Sequence, residues 1–182
     1  MRKFLTICLL LSGITTAFAQ KIVPEIKDGT SVLLTVFIQG NDVPVYLTLN
    51  KVATAPAINW SVDGYGDGTI QLTEKGLNTG NAFFNGQPAA GTTNLSDNET
   101  WSVLSKSAFK SLVDNKSFEY GGTKFKIKEG AKPFSLDGKE VDAFTVESEN
   151  GSVRLCVLNN PTFPLLLETS GLSIDTMVQA IK

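Results

Sequence analysis

The chain has 182 residues, with 16 Lys or Arg and 18 Asp or Glu, and its formal net charge is −2 at pH 7. It contains no histidine, which excludes Ser-His-Asp and Cys-His nucleophile systems and most zinc sites. Phosphate-binding glycine motifs are also missing, and the charge provides no footprint for nucleic acid or an anionic membrane.

Residues 1–19 are typical of a cleaved secretory signal peptide. Arg2 and Lys3 precede the apolar run Phe4–Ile14, and a small-x-small cleavage site ends at Ala19. The run is too short for a transmembrane anchor, and no cysteine follows it to carry a lipid. We therefore expect an exported bacterial protein, periplasmic or extracellular, in which residues 20–182 form one β-rich domain.

Hairpins dominate the first half of that domain. Short runs of β-branched and apolar residues alternate with Gly, Asn and Asp, which is typical of strands joined by turns. The predicted elements, in order, are strands Thr30–Gln39 and Val45–Val52 around a Gly40-Asn41-Asp42 turn, strands Ala57–Val62 and Thr69–Leu72, a helical turn at Thr73–Leu77, a strand with a long loop from Gly80 to Gly91, and a polar loop at Asn94–Thr100.

One helix and more hairpins follow. Ser105 is a predicted N-cap for a helix over Lys106–Asp114, whose apolar residues fall on one face. Further strands are predicted at Ser117–Tyr120, Thr123–Lys128 and Val141–Glu149.

The most apolar stretch, Ser152–Glu168, predicts a central strand–turn–strand unit, with Cys156 as a buried thiol. The segment 172–182 fits either helix or strand spacing. The predicted fold class is α+β, dominated by an antiparallel sheet in a sandwich or a partly open barrel, with one or two short helices.

The segment Asp63–Glu74 resembles the calcium loop of the EF-hand family over twelve residues. The resemblance implies side-chain ligands from Asp63, Asp67 and Glu74, and the backbone carbonyl of Thr69. Tyr65 departs from the pattern, because the family places a carboxylate or amide there. A glycine-rich β-turn is the alternative interpretation of the same residues.

Two further patterns have catalytic precedents. Ser107 and Lys110 form an SxxK motif, as in the penicillin-binding and β-lactamase family, but on a predicted solvent-facing side of the helix. The pairs Glu147 with Glu149 and Glu140 with Asp142 each share one strand face, as paired carboxylates of a hydrolase would. Solvated surfaces are the alternative for both patterns.

Aromatic residues cluster in the middle third, beside glycine-rich loops, which is a pattern for a glycan- or lipid-binding surface as well as for a β-sheet core. The candidate ligand-binding residues are Trp60, Tyr65, Phe83, Phe84 and Trp101.

Three stretches, Trp60–Gly68, Thr100–Ser105 and Leu155–Leu166, resemble an uncharacterised family of small exported bacterial β-domains without a known activity. The sequence thus predicts a non-enzymatic binding or interaction domain for a partner protein, a glycan or an apolar ligand. The alternative is a carboxylate-dependent hydrolase, assisted by calcium.

Overall fold

A computed structural model describes residues 21–182, so the predicted signal peptide lies outside the described residues. The elements are β1 (Ser31–Ile38), β2 (Asn41–Asn50), β3 (Ala57–Val62), β4 (Gly66–Gln71), α1 (Glu74–Thr79), β5 (Ala82–Phe83), β6 (Gly91–Asn94), β7 (Glu99–Thr100), α2 (Lys106–Asn115), β8 (Ser117–Tyr120), β9 (Thr123–Ile127), β10 (Ser135–Leu136), β11 (Lys139–Glu140), β12 (Ala143–Ser148), β13 (Arg154–Leu158), β14 (Leu166–Ser170) and β15 (Asp175–Ile181).

Eleven of these strands form one sheet in the order β6-β4-β3-β2-β1-β15-β14-β13-β12-β9-β8. Within this sheet every pairing is antiparallel except β4 with β6, which is parallel. Two small sheets lie outside it, an antiparallel β10–β11 pair and a parallel β5–β7 pair. Over the described residues the sheet does not close into a barrel, because β6 and β8 remain its two edges. The predicted α+β class with a dominant antiparallel sheet is therefore confirmed.

The first hairpin turns one residue earlier than predicted. Asn41 and Asp42 belong to β2, and the two-residue turn is Gln39-Gly40. Both turn residues have positive φ, as a type I′ turn requires, and this turn type matches the twist of the flanking strands. The predicted Gly40-Asn41-Asp42 turn was wrong by this shift, because Asn41 pairs with Ile38 and closes the hairpin around Gln39-Gly40.

Two hydrophobic clusters pack against the sheet. The first includes Leu47, Ile58 and Ile70 from the β1–β4 region, and the second surrounds α2 with Leu112, Phe118 and other apolar side chains. Strand β13 contributes to both, because Leu155 belongs to the second cluster and its neighbour Cys156 to the first. The predicted central position of the Ser152–Glu168 unit is confirmed, as is the buried thiol.

Helix α2 begins where predicted. The Ser105 hydroxyl accepts a hydrogen bond from the Ala108 amide, and Phe109 and Leu112 are buried beneath the helix. Before the helix, the backbone carbonyl of Asn81 accepts a hydrogen bond of 2.6 Å from the amide of Gly121, at the β8–β9 turn. The segment that follows β4 therefore reaches the opposite edge of the sheet.

Three predictions in the irregular regions need correction. The predicted strand after Gly80 is only the two residues of β5, and the predicted polar loop at Asn94–Thr100 contains β7. Strand β6 was not predicted at all, because Gly-Thr-Thr-Asn has no hydrophobic alternation. The segment 172–182, ambiguous in the sequence, contains strand β15. No helix within residues 21–182 is long and apolar enough to cross a membrane.

Candidate binding surface

The predicted calcium loop folds as the β3–β4 hairpin. Asp63 lies in the turn, while Asp67 and Thr69 are in β4 opposite Ser61 and Asn59. At about 3.3 Å per residue, β4 carries the chain about 13 Å from Asp67 to Gln71 before Glu74 begins α1. The strand thus separates Glu74 from the two aspartates. Within residues 21–182 no group of three or more His, Cys, Asp or Glu side chains is arranged to hold a metal ion.

The five aromatic candidates do not share one surface. Tyr65 is 75% exposed at the tip of the β3–β4 hairpin, whereas Trp60 is buried in the first cluster. Phe84 and Trp101 pack against that cluster as partly buried residues. Phe83 packs against the second cluster, with its ring centroid 4.5 Å from that of Tyr120. Four of the five therefore contribute to core packing.

Trp60 shows why a glycine follows the aspartate in β4. Its partner across the ladder is Gly68, and a Cβ there would lie 2.9 Å from the indole Nε1 and 2.6 Å from the Ala89 carbonyl oxygen. The missing side chain lets the indole and the chain before β6 approach β4 closely. The indole Nε1 is buried without a hydrogen-bond partner in the described part of the chain.

The carboxylate pairs are engaged with lysines or amides. Glu149 lies 2.9 Å from Lys126, and this contact lowers the pKa of the carboxyl from its ordinary 4.5. Glu147 forms an ion pair with Lys128. A lowered pKa is the opposite of what a general acid needs near neutral pH.

The second pair is engaged in the same way. Glu140 lies 2.9 Å from Lys21, and Asp142 accepts a hydrogen bond from the side-chain amide of Asn159. In the SxxK motif, Lys110 forms an ion pair with Asp114 on the exposed side of α2. These contacts are those of a solvated surface and of structural hydrogen bonding.

A different surface, on strands β15, β1 and β2, combines exposed apolar side chains. The residues of β1 alternate, so that Val32 and Leu34 are buried while Leu33 and Phe37 point to the other side of the sheet. Cross-strand pairing places Tyr46 opposite Leu33, and Pro44 opposite Thr35. We call this side the open face, formed by Leu33, Thr35, Phe37, Pro44, Tyr46, Met177 and Ala180.

The open face is incompletely covered by the described chain. Phe37 in β1 is 39% exposed and Tyr46 in β2 is 48% exposed. Pro44, two residues before Tyr46 in β2, is also exposed. Leu33 and Met177 are half-buried. A contiguous exposed apolar patch on a globular protein is typical of an interaction site, whereas single exposed apolar residues are ordinary.

Acidic side chains border this patch. Asp42 and Asp175 lie directly opposite Phe37 on its two neighbouring strands. Glu168 pairs with Met177, and Asp67 pairs with Ser61, the neighbour of Tyr46. Among the ion pairs within residues 21–182, none involves these four carboxylates. These four carboxylates are therefore not neutralised by ion pairs within that part of the chain.

A shallow polar groove of about 360 Å³ adjoins the patch at Tyr46. Asn59, Asp67 and Thr69 line it, and the Thr69 hydroxyl donates to the Asn59 side-chain oxygen at 3.0 Å. Trp60 also lines the groove, although its pairing with Gly68 places the indole on the opposite side of the sheet from Asn59. A larger cleft of about 580 Å³ lies between residues 22–30, residues 136–139 and the last two residues of the chain.

The open face was missed in the sequence because β1 reads as a nearly continuous apolar run. Such a run predicts a strand buried on both sides. The signal that could have revealed it lies in the partner strand, where Asp42 and Pro44 share the parity of Tyr46 and are poor residues for a buried face.

Comparisons with known proteins find no match among protein-family models, curated proteins or solved structures. The resemblance to an uncharacterised exported family therefore stays a prediction.

Proposed function

We propose that the protein is an exported, non-enzymatic binding domain that recognises a partner protein through the open face. The observation that carries the proposal is the exposure of Phe37, Pro44 and Tyr46 on one side of adjacent strands. Export follows from the signal peptide predicted at residues 1–19, which lies outside the described residues.

Physical arguments favour a protein over a small apolar ligand. The patch is a sheet surface, and drug-sized apolar ligands prefer concave sites that enclose most of their area. Aromatic side chains supply large contact area with few rotatable bonds, and they are enriched at protein interfaces. In the Glu147–Glu149 pair, Glu147 forms an ion pair with Lys128 and the pKa of Glu149 is lowered, which is the opposite of what a general acid of the alternative hydrolase needs.

Site-specific photo-crosslinking in the native exported fraction tests the proposal. A photoreactive phenylalanine analogue is placed at Phe37, at Tyr46 and, as the matched control, at Lys126 on the same side of the sheet. We expect the first two positions to give one common protein adduct and the control to give none.

Competition makes the test specific. Excess wild-type protein should suppress the adduct, whereas an excess of the Phe37→Ser variant should not. Serine removes the exposed ring from the open face and leaves the hydrophobic clusters unchanged. Equal adducts at all three positions, or adducts insensitive to competition, would show that the open face is not a binding surface.

A glycan is a second candidate ligand, favoured by the polar groove. Its hydroxyl, amide and carboxylate groups are those that bind sugar hydroxyls, and Tyr46 supplies an exposed ring beside them. Glycan-array binding that is lost in Asn59→Ala but retained in Phe37→Ser would assign the groove to a sugar. The absence of such binding would remove this candidate.

A further inference from the structure

The partner's chemistry can be read from the row of side chains around Phe37. Asp42 on β2 and Asp175 on β15 are its direct cross-strand neighbours. Side chains opposite each other in antiparallel strands have Cβ atoms about 5 Å apart, so the Cβ atoms of the two aspartates lie about 10 Å from each other, on either side of Phe37. The exposed ring therefore lies between two negative charges.

These charges have few partners of their own. Asp42 is exposed, and Asp175 accepts a hydrogen bond from the backbone amide of Leu172. A bond from a neutral amide leaves the formal charge of Asp175 in place. The seven residues of the open face include no lysine or arginine, while Glu168 beside Met177 and Asp67 beside Ser61 add negative charge further along two of its rows. The basic Lys182 pairs with Ser31 in the row beyond Leu33, at the end of the open face away from Phe37.

We infer that the partner protein presents a lysine or arginine side chain that docks over the Phe37 ring between Asp42 and Asp175, followed by apolar side chains on Leu33, Pro44 and Tyr46. This inference rests on the proposed function. A cation is attracted to the face of an aromatic ring and to carboxylates on either side of it. The apolar part of the patch supplies the area that the charges alone would not.

Two other occupants fit these charges less well. An anionic membrane would be repelled by the aspartates around Phe37. A second copy of this chain would bring the same acidic border against itself, because a two-fold dimer contact uses the same patch on both subunits. A segment of a different protein that carries both basic and apolar side chains is complementary to the aspartates and to the exposed apolar residues.

Selection of random peptides displayed on phage, with the chain from residue 20 as target, tests the inference. We expect enriched peptides to place Lys or Arg next to aromatic or aliphatic residues. Their affinity should fall about tenfold when Asp42→Asn and Asp175→Asn are combined, as for charges lost from a partly desolvated interface. It should also fall as salt is raised.

The variants are chosen to leave the fold intact. Asparagine at position 175 keeps the oxygen that accepts from Leu172, and residue 42 is exposed. The matched control combines Glu129→Gln with Asp137→Asn, two exposed carboxylates elsewhere that change the net charge equally. The control should bind the peptides as the wild type does.

The outcomes separate the inference from the proposed function. Peptides that need Phe37 but lack basic residues, or that ignore the double asparagine variant, would overturn the basic partner and leave the open face as a binding surface. Peptides insensitive to Phe37→Ser would overturn both. Phe37-dependent binding to phosphatidylglycerol vesicles, or Phe37-dependent dimerisation of the wild type in sedimentation, would replace the basic partner with a membrane or a second copy.

Discussion

Two regions on the same side of the large sheet differ in whether their acidic side chains form ion pairs. On β9 and β12, Lys126 and Lys128 pair with Glu149 and Glu147. On β15, β1 and β2, the aspartates around Phe37 have no such partners within the described chain. A single row of paired residues, Thr145–Cys156–Glu168–Met177–Thr35–Pro44, connects the two regions across six strands.

The difference separates a surface covered by paired charges from one that we propose to be adapted to a partner. In the β9–β12 region, the lysines of one strand face the glutamates of the next, and these flexible, hydrated side chains cover the backbone. On the open face, apolar side chains stay exposed, and the charged residues around Phe37 are acidic. Since both regions belong to one continuous sheet, folding alone does not require the second pattern.

The largest effect that tests this comparison is the contrast between two adjacent residues of β2. Leu47 is 1% exposed in the first cluster, and Tyr46 lies on the open face. We expect Leu47→Ala to lower the free energy of unfolding by about 2–5 kcal/mol, through lost burial and a cavity. Tyr46→Ala should cost about 1 kcal/mol or less, the range of one cross-strand contact. Urea unfolding measures both.

The slope of the unfolding transition is the internal control, because an unchanged slope shows that the same surface is exposed on unfolding. If Tyr46→Ala were as destabilising as Leu47→Ala, the chain itself would cover the open face, and the comparison would fail.

An intermediate effect is expected on the reactivity of Cys156. This residue is buried, and it lies in the row of paired residues that connects the β9–β12 region to the open face. Burial, with a contribution from the nearby charge of Glu168, raises the pKa of the Cys156 thiol to about 12. Alkylation requires the thiolate, so iodoacetamide at pH 8 should label the folded protein far more slowly than the protein in urea.

The same shift gives a pH dependence. The folded thiol has the higher pKa, so its contribution to stability is complete below the unfolded value near 9.0 and is lost as the pH rises towards 12. Glu168→Gln should lower the thiol pKa and speed labelling modestly, while Glu129→Gln should not. Rapid labelling of the folded wild type would show that this part of the row is open as well.

Most of the fold follows from local signals. Strands β3 and β8 and helix α2 have strong apolar periodicity and clear turn or cap residues, and they lie within one residue of the prediction. Strand β6 could not be predicted from its own residues, since its four residues form a strand only through their parallel pairing with β4.

The candidate site was much less predictable. Trp60 and Phe83 looked like ligand-binding residues, but aromatic residues mark a core as readily as a surface, and the sequence does not show which side of the sheet they reach. The open face depends on register: Phe37, Asp42 and Asp175 come from three strands, and β15 was not assigned as a strand from its own residues.

The smallest expected effect is on the paired region itself, at Glu149. Its hydrogen bond and attraction to Lys126, with a smaller contribution from Lys124, lower the pKa of the carboxyl below 4.5. Because the folded pKa is depressed, the stabilisation is present above the unfolded pKa of 4.5 and is lost as the pH falls through the folded one.

NMR titration of the Glu149 side-chain carboxyl should give a midpoint below 4.5, and Lys126→Gln should move that midpoint upwards. The control Lys110→Gln, on α2, should leave it unchanged. High salt should also raise the midpoint, because exposed charges are screened. A midpoint that ignores both Lys126→Gln and salt would mean that this region is not held by charge pairing, and the contrast with the open face would then rest on the exposed rings alone.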